Sequence, residues 1–433
     1  MKDMCIFRSF ACTKLIPTYP MRIKILLFLL TTFYVSNAQK NQGIIGESNW
    51  FDGWTNFRPK STEYDQATRI LVGDIKENMT LTKNNVYLIM GTVHVANKAV
   101  LTIEPGTVIR GDFNTTGTLA IVKGSKIMAV GTDTNPIIFT SNKPVSERKP
   151  GDWGGVILMG DAPINRFGGV SASFYEPNPL YNLFGGLNEN SDSGILKYVR
   201  IEFAGKKIDS KISLNGLTLA ALGSKTKIEY VQISFSSDDS VEVIGGNIDF
   251  SNIISYRATD DDFDYSMGVQ STMNNSIAIR NPYASDNTRS RCFEIDSYDK
   301  IENYDPTKKK TYIKLNNVTM TNDEENTMGL VKEAISLKPD SYIEVNKCLV
   351  AGFSSFIALD DKCLERDNFK KNKIYNSTID SCAELFTDEA LVKALNVNDW
   401  FMQTDKLLNI TKVGINSLFI NNNVKHKPDF RLK

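Results

Sequence analysis

The stretch SSDDSVEVIGGNIDFSNIISYRATDDDFD at 236–264 sets two acidic clusters, Asp238-Asp239 and Asp260-Asp261-Asp262, 22 residues apart in an apolar, β-branched background. Carboxylates gathered in this way can do three kinds of chemistry. They can ligate Ca2+, which takes about six to eight oxygens from Asp clusters and loop carbonyls. They can form a catalytic pair, held ~6.5–9.5 Å apart in inverting glycosidases and ~5–5.5 Å apart in retaining ones. They can also be solvated turn residues that accept from backbone amides. DDSVEVIGG (238–246) aligns on DDDFDYSMG (260–268), which makes Asp238 equivalent to Asp260, Asp239 to Asp261 and Glu242 to Asp264, with Ser240 matched to Asp262. The candidate metal ligands are therefore Asp238, Asp239, Asp260, Asp261, Asp262 and Asp264, although the spacing is not that of an EF-hand loop. The catalytic candidates are Asp239 and Asp261, with Arg280 as the base a lyase would need and Arg257, Arg289 and Arg291 nearby. Asp286 is placed to extend the column by one more step.

A second group of residues could bind a ligand without transforming it. Trp153 in GDWGG offers a sugar-stacking platform, or else packs as an aromatic at a chain corner. Tyr175, Tyr181 and Phe184 fall in FYEPNPLYNLFGGLNE (174–189), a Pro-, Asn- and Gly-rich insertion of the kind that often carries binding.

These proposals need an architecture in which residues two dozen apart become neighbours. Repeats supply it. LTIEPGTVI (101–109) returns as LAIVKGSKI (119–127), and ILKYVRIEFAG (195–205) returns as KIEYVQISFSS (227–237) with a shared Tyr-Val-x-Ile-x-Phe core. Asn316, Asn346 and Asn376 recur at intervals of 30 beside short strands. Short apolar strands at such spacing, punctuated by Gly, Asn and Asp, mark a solenoid. No amphipathic helices alternate with them, and the interval is too variable for a propeller. The reading is an all-β, right-handed parallel β-helix whose coils stack at roughly 4.8 Å. The three asparagines then read as a side-chain ladder at a corner that tolerates left-handed backbone. Residues 39–75 read as an N-terminal lead-in or cap, residues 76–433 as the β-helix, and 387–408 as a short helical excursion.

Composition narrows the function classes. The 41% apolar content is enough for a large core. MRIKILLFLLTTFYVSNAQ (21–39) has a basic start, an apolar run too short to span a bilayer and small residues before a cleavage after Ala38. Residues 1–38 are thus an extension plus signal peptide, leaving 45 basic against 49 acidic residues, a net of −4. That balance argues against nucleic-acid binding. Only His94 and His426 are present, which disfavours a His-based metal site or a Ser-His-Asp triad. Cys292, Cys348, Cys363 and Cys382 remain after removal of the leader, either as two disulfides or as small buried hydrophobes.

WFDGWTNFRP, LTIEPGTVIRGD, GDWGGVILMGDAPIN, ILKYVRIEFAG, NGLTLAALGS and DDDFDYSMG resemble exported β-helix proteins of Bacteroidetes-type bacteria with pectin-lyase-like folds, mostly without assigned function. The resemblance covers about residues 50–300 and implies the same fold. Hydrolases of that fold pair acidic residues on neighbouring coils with a histidine, and no histidine lies between 95 and 425 here. The leading expectation is a non-enzymatic, monomeric protein of the periplasm, cell surface or extracellular space that binds glycan or another envelope ligand, with Ca2+ as a brace. A calcium-dependent polysaccharide lyase or glycoside hydrolase is the competing expectation, and a purely structural or adhesion module the third.

Overall fold

Apolar residues that alternate over four to eight positions must all reach one core, and stacking coils satisfies them together. The computed structural model describes residues 41–433 apart from 174–177, 286–288, 326–329, 361–370 and 388–407. Within it the chain winds as a right-handed parallel β-helix, nearly every strand pairing in parallel with its counterparts one coil before and one coil after. Among the described residues the strand pairs that run antiparallel are small, 171–172 with 183–184 and 419–421 with 429–432. The helical excursion expected at 387–408 falls almost wholly outside the described residues; the short α-helix that is described is Ile415–Leu418. Among the described residues no helix is long and apolar enough to cross a membrane.

Four consecutive coils carry the site. Their strands are β1 (Leu217–Leu222), β2 (Val241–Gly246), β3 (Phe263–Ser266) and β4 (Phe293–Ile295). Their registers pair Leu217 with Val241, Val241 with Phe263 and Phe263 with Phe293, so apolar side chains pile inward and Phe263 stacks on Phe293 at 4.9 Å.

The asparagine ladder is present and longer than expected. Asn316 donates to Asn274, Asn346 to Asn316 and Asn376 to Asn346, at 3.2–3.3 Å. The left-handed backbone sits one residue further on. Tyr198, Tyr230, Asn252, Asn275, Asn317, Lys347 and Asn376 form one corner column, all with φ between 46° and 57°. Only Asn376 belongs to both columns, because there Asn346 pairs with Tyr375 rather than with Asn376. The repeated tyrosines are explained by the same corner: Tyr198 and Tyr230 take the left-handed bend and stack at 4.6 Å.

The N-terminal segment lies along this corner and is not an end cap. Gly43 N–H donates to the Lys347 carbonyl, Ile45 exchanges hydrogen bonds with the Asn275 amide, and Asn56 N–H donates to Gln232. Arg110 then donates to the carbonyls of Tyr64 and Asp65. The segment thus runs from the late coils back to the early ones as a strap. Trp54, fully buried, packs edge-on against Tyr198 and Tyr230. The C-terminal hairpin joins it, with Phe430 at 6.2 Å from Phe51 and Arg431 donating to the carbonyls of Gly46 and Glu47. Cys292, Cys348 and Cys382 are free thiols, the first two fully buried, while Cys363 lies outside the described residues. Truncating a buried Trp costs about 3–5 kcal/mol. Trp54→Ala should lose that much in a denaturant melt, whereas a loss under 1 kcal/mol would mean the strap contributes little.

Candidate functional site

The acidic residues occupy a turn and the strand that follows it, repeated coil after coil. Three columns result. At the turn, Asn215, Asp239, Asp261 and Arg291 are linked through backbone: Asp239 N–H donates to the Asn215 side chain at 3.1 Å, Asp261 N–H to the Asp239 carboxylate at 3.1 Å and Arg291 N–H to the Asp261 carboxylate at 2.5 Å. Beside it stand Asp238 and Asp260, half-buried. On the outer face of the sheet, Glu242, Asp264 and Glu294 pair in register across β2, β3 and β4. Glu294 was not singled out in the sequence, yet FEI at 293–295 repeats FDY at 263–265 with the 30-residue interval of the asparagines.

Asp238, Asp239 and Asp260 converge. One carboxylate oxygen from each lies within 4.8 Å of the others. Asp238 and Asp239 come from one coil and Asp260 from the next, so anything held between them ties two coils together.

The remaining expected ligands do not join that group. Asp262 turns inward, where Arg280 Nη1 donates to it at 3.0 Å and Ser255 Oγ also donates to it. Both members of this ion pair are fully buried. Arg280 further donates to the carbonyls of Arg291 and Asp260 at 2.6 and 2.7 Å. It is therefore a structural cation inside the coil and cannot serve as a base that reaches substrate. Arg257 is paired with Asp323, and Arg291 with Glu294 at 2.6 Å. Asp261 is spent on the Arg291 amide, and Asp264 belongs to the outer ladder.

The expected ligand platform is also redistributed. Trp153 is fully buried, its indole N–H donating to the Glu202 carbonyl at 2.8 Å, so it offers no stacking face. It fits because Gly111 faces it: a Cβ there would come within 2.5 Å of the indole. Phe184 is buried with Met159, Ile164 and Met267 against the outer face of the sheet, which anchors the insertion. Tyr181 donates to Asp74 at 2.6 Å and lies 4.5 Å from the His94 ring, latching the insertion to the first coils. Tyr175 and Asp286 lie outside the described residues.

Electrostatics follow from stacking. Burial, then the charges of Asp264, Asp261, Asp238 and Asp260, push Asp239 well above the ordinary carboxylate range. Burial with Asp260 and Glu294 does the same to Asp261, and burial with Glu242 and Glu294 to Asp264. Asp262 is also raised by burial, against the pull of Arg280. Each shift favours the protonated form.

The family comparison agrees with this architecture. Residues 73–416 match the pectate-lyase-like β-helix domain family, and the chain belongs to it. Comparison with curated proteins and with solved structures yields no match to either.

Because Asp239, Asp261 and Asp264 are raised, the native state holds more protons than the unfolded chain above the ordinary carboxylate pKa of about 4. Stability should then rise as pH falls from neutrality toward that value. In cation-free buffer, the change in unfolding free energy from pH 7 to pH 5 should favour the folded state more in the native protein than in Asp261→Asn, which keeps the acceptor but not the charge. An equal response in both would contradict the assignment.

Proposed function

We propose that this chain is an exported, non-enzymatic β-helix that binds a glycan or another envelope ligand along its side, braced by Ca2+ at Asp238, Asp239 and Asp260. The observation that carries the cation is the spacing of the three carboxylates. Ligand oxygens about 2.4 Å from a common Ca2+ can be no more than about 4.8 Å apart, and these three meet that limit. A divalent ion here neutralises the repulsion between stacked carboxylates and joins consecutive coils. Ca2+ takes about six to eight oxygens, so loop carbonyls and water would supply the rest of its shell. The leader supports a place in the periplasm, cell surface or surroundings, and the −4 balance after its removal supports a protein, taken as a monomer, that does not bind nucleic acid.

A hydrolase is the second reading, favoured by one feature: Asp239 and Asp261 are held toward the protonated form, as a general acid must be. Against it, the buried Arg280 is sealed from substrate, and His94 packs on Tyr181 away from the acidic turn.

A ligand that binds only the native state stabilises it by about 2.7 kcal/mol at a hundredfold excess over its Kd. Calcium should raise the melting temperature reversibly, chelator should undo the rise, and Asp260→Ala should remove the response. No product should appear from acidic or neutral polysaccharides. A melting temperature indifferent to calcium would sink the brace, and turnover abolished by Asp261→Ala would establish the hydrolase instead.

A further inference from the structure

The strands that present the acidic turn at one end present a cavity at the other. It opens where β2 and β3 run out, at Gly246-Asn247 and Gly268 to Gln270, and has a volume of 240 Å3. Asp239 precedes β2 and Asn247 follows it, which separates the two features by on the order of 20 Å along the strand. Two insertions wall the cavity. They are tied together by the Arg166–Asp299 ion pair at 2.7 Å and by Asp305 N–H donating to the Asn165 carbonyl at 2.8 Å. Cavities for drug-sized ligands start near ~300 Å3, so this one suits a single sugar ring.

The polar groups in the cavity are arranged with a definite sense. Gln270 Nε2 donates to the carbonyls of Gly268, Val269 and Lys310 at 3.1, 3.1 and 2.7 Å. Those bonds fix the amide orientation and leave Oε1 as an acceptor. The Asn247 amide and the Lys308 ammonium line the same cavity and make no side-chain hydrogen bond or ion pair among the described residues. Ile164 and Leu187 form an apolar wall, Leu187 being 81% exposed. A fixed acceptor, two donors and an apolar wall together are what an acetamido group requires. Its N–H meets Gln270 Oε1, its carbonyl meets Asn247 or Lys308, and its methyl covers Ile164 and Leu187. A sugar bearing only hydroxyls leaves the apolar wall unmatched, and a uronate, although Lys308 would attract it and Lys309 already pairs Glu189 at 3.5 Å, leaves that wall uncovered as well.

We infer that this cavity binds an N-acetylhexosamine residue of a glycan. The inference rests on the glycan-binding reading for its ligand class and is independent of the cation. Titration calorimetry on the full mature chain, using the tetramer of N-acetylglucosamine, its deacetylated counterpart and an oligogalacturonate, tests it. The acetylated tetramer should bind at least about tenfold tighter than either control. Asn247→Ala and Leu187→Ala should each weaken it about tenfold, the scale of one lost contact. Neither side chain supports the fold, so melting temperatures should stay unchanged. Equal binding of acetylated and deacetylated tetramers, or variants that bind like the native protein, overturns the cavity assignment while leaving glycan binding in place. Binding of the oligogalacturonate alone does the same. No binding by any of the three overturns the inference, and a broader glycan panel then decides the parent reading separately.

Discussion

Parallel stacking in register is the constraint on which everything else depends. It places each outward side chain roughly 4.8 Å from its counterpart in the next coil. Like therefore meets like wherever the sequence repeats. Aromatic pairs gain from this, as at Tyr198 on Tyr230 and Phe203 on Phe235. Amides gain by donating up the column, as from Asn376 through Asn346 and Asn316 to Asn274. Carboxylates lose. At about 5 Å and an effective dielectric near 20, each stacked pair costs about 3 kcal/mol. The fold answers this differently at each acidic column. Asp262 receives a buried arginine, Glu294 receives Arg291 and Lys338, and Asp239 and Asp261 receive backbone amides. The carboxylates of Asp238, Asp239 and Asp260 converge at the turn, where the proposed divalent ion would relieve the repulsion.

The same geometry makes a solenoid vulnerable along its flank, since each coil touches only its neighbours. Here residues 41–65 and the C-terminal hairpin reinforce one corner. The strap contacts coils from Lys347 back to Arg110, and the C-terminal hairpin packs against it through Phe430. The outward tyrosines of the corner column, which would otherwise be exposed, form the floor on which Trp50 and Trp54 sit.

Much of this was legible in the residues. The 22-residue offset between the acidic clusters is a true coil length, as the pairing of Val241 with Phe263 shows. The asparagine interval of 30 is another, as the pairing of Asn316 with Asn346 shows. What could not be read were directions and long-range partners. In DDD at 260–262 nothing local says that the third carboxylate faces the core, because that depends on an arginine on another strand. In GDWGG nothing local decides between a platform and a packed Trp153, because the glycine that makes room for its ring is Gly111, in an earlier coil. The strap has no repeat, and its partners lie up to 385 residues away, as from Gly46 to Arg431.

The central claim is that adjacent coils share a cation at their acidic turn. Anomalous diffraction from crystals soaked in terbium, which occupies calcium sites, addresses it without relying on stability or activity. The account predicts one strong peak about 2.3–2.6 Å from carboxylate oxygens of Asp238, Asp239 and Asp260. Peaks confined to other parts of the surface, with none at that turn, would contradict it.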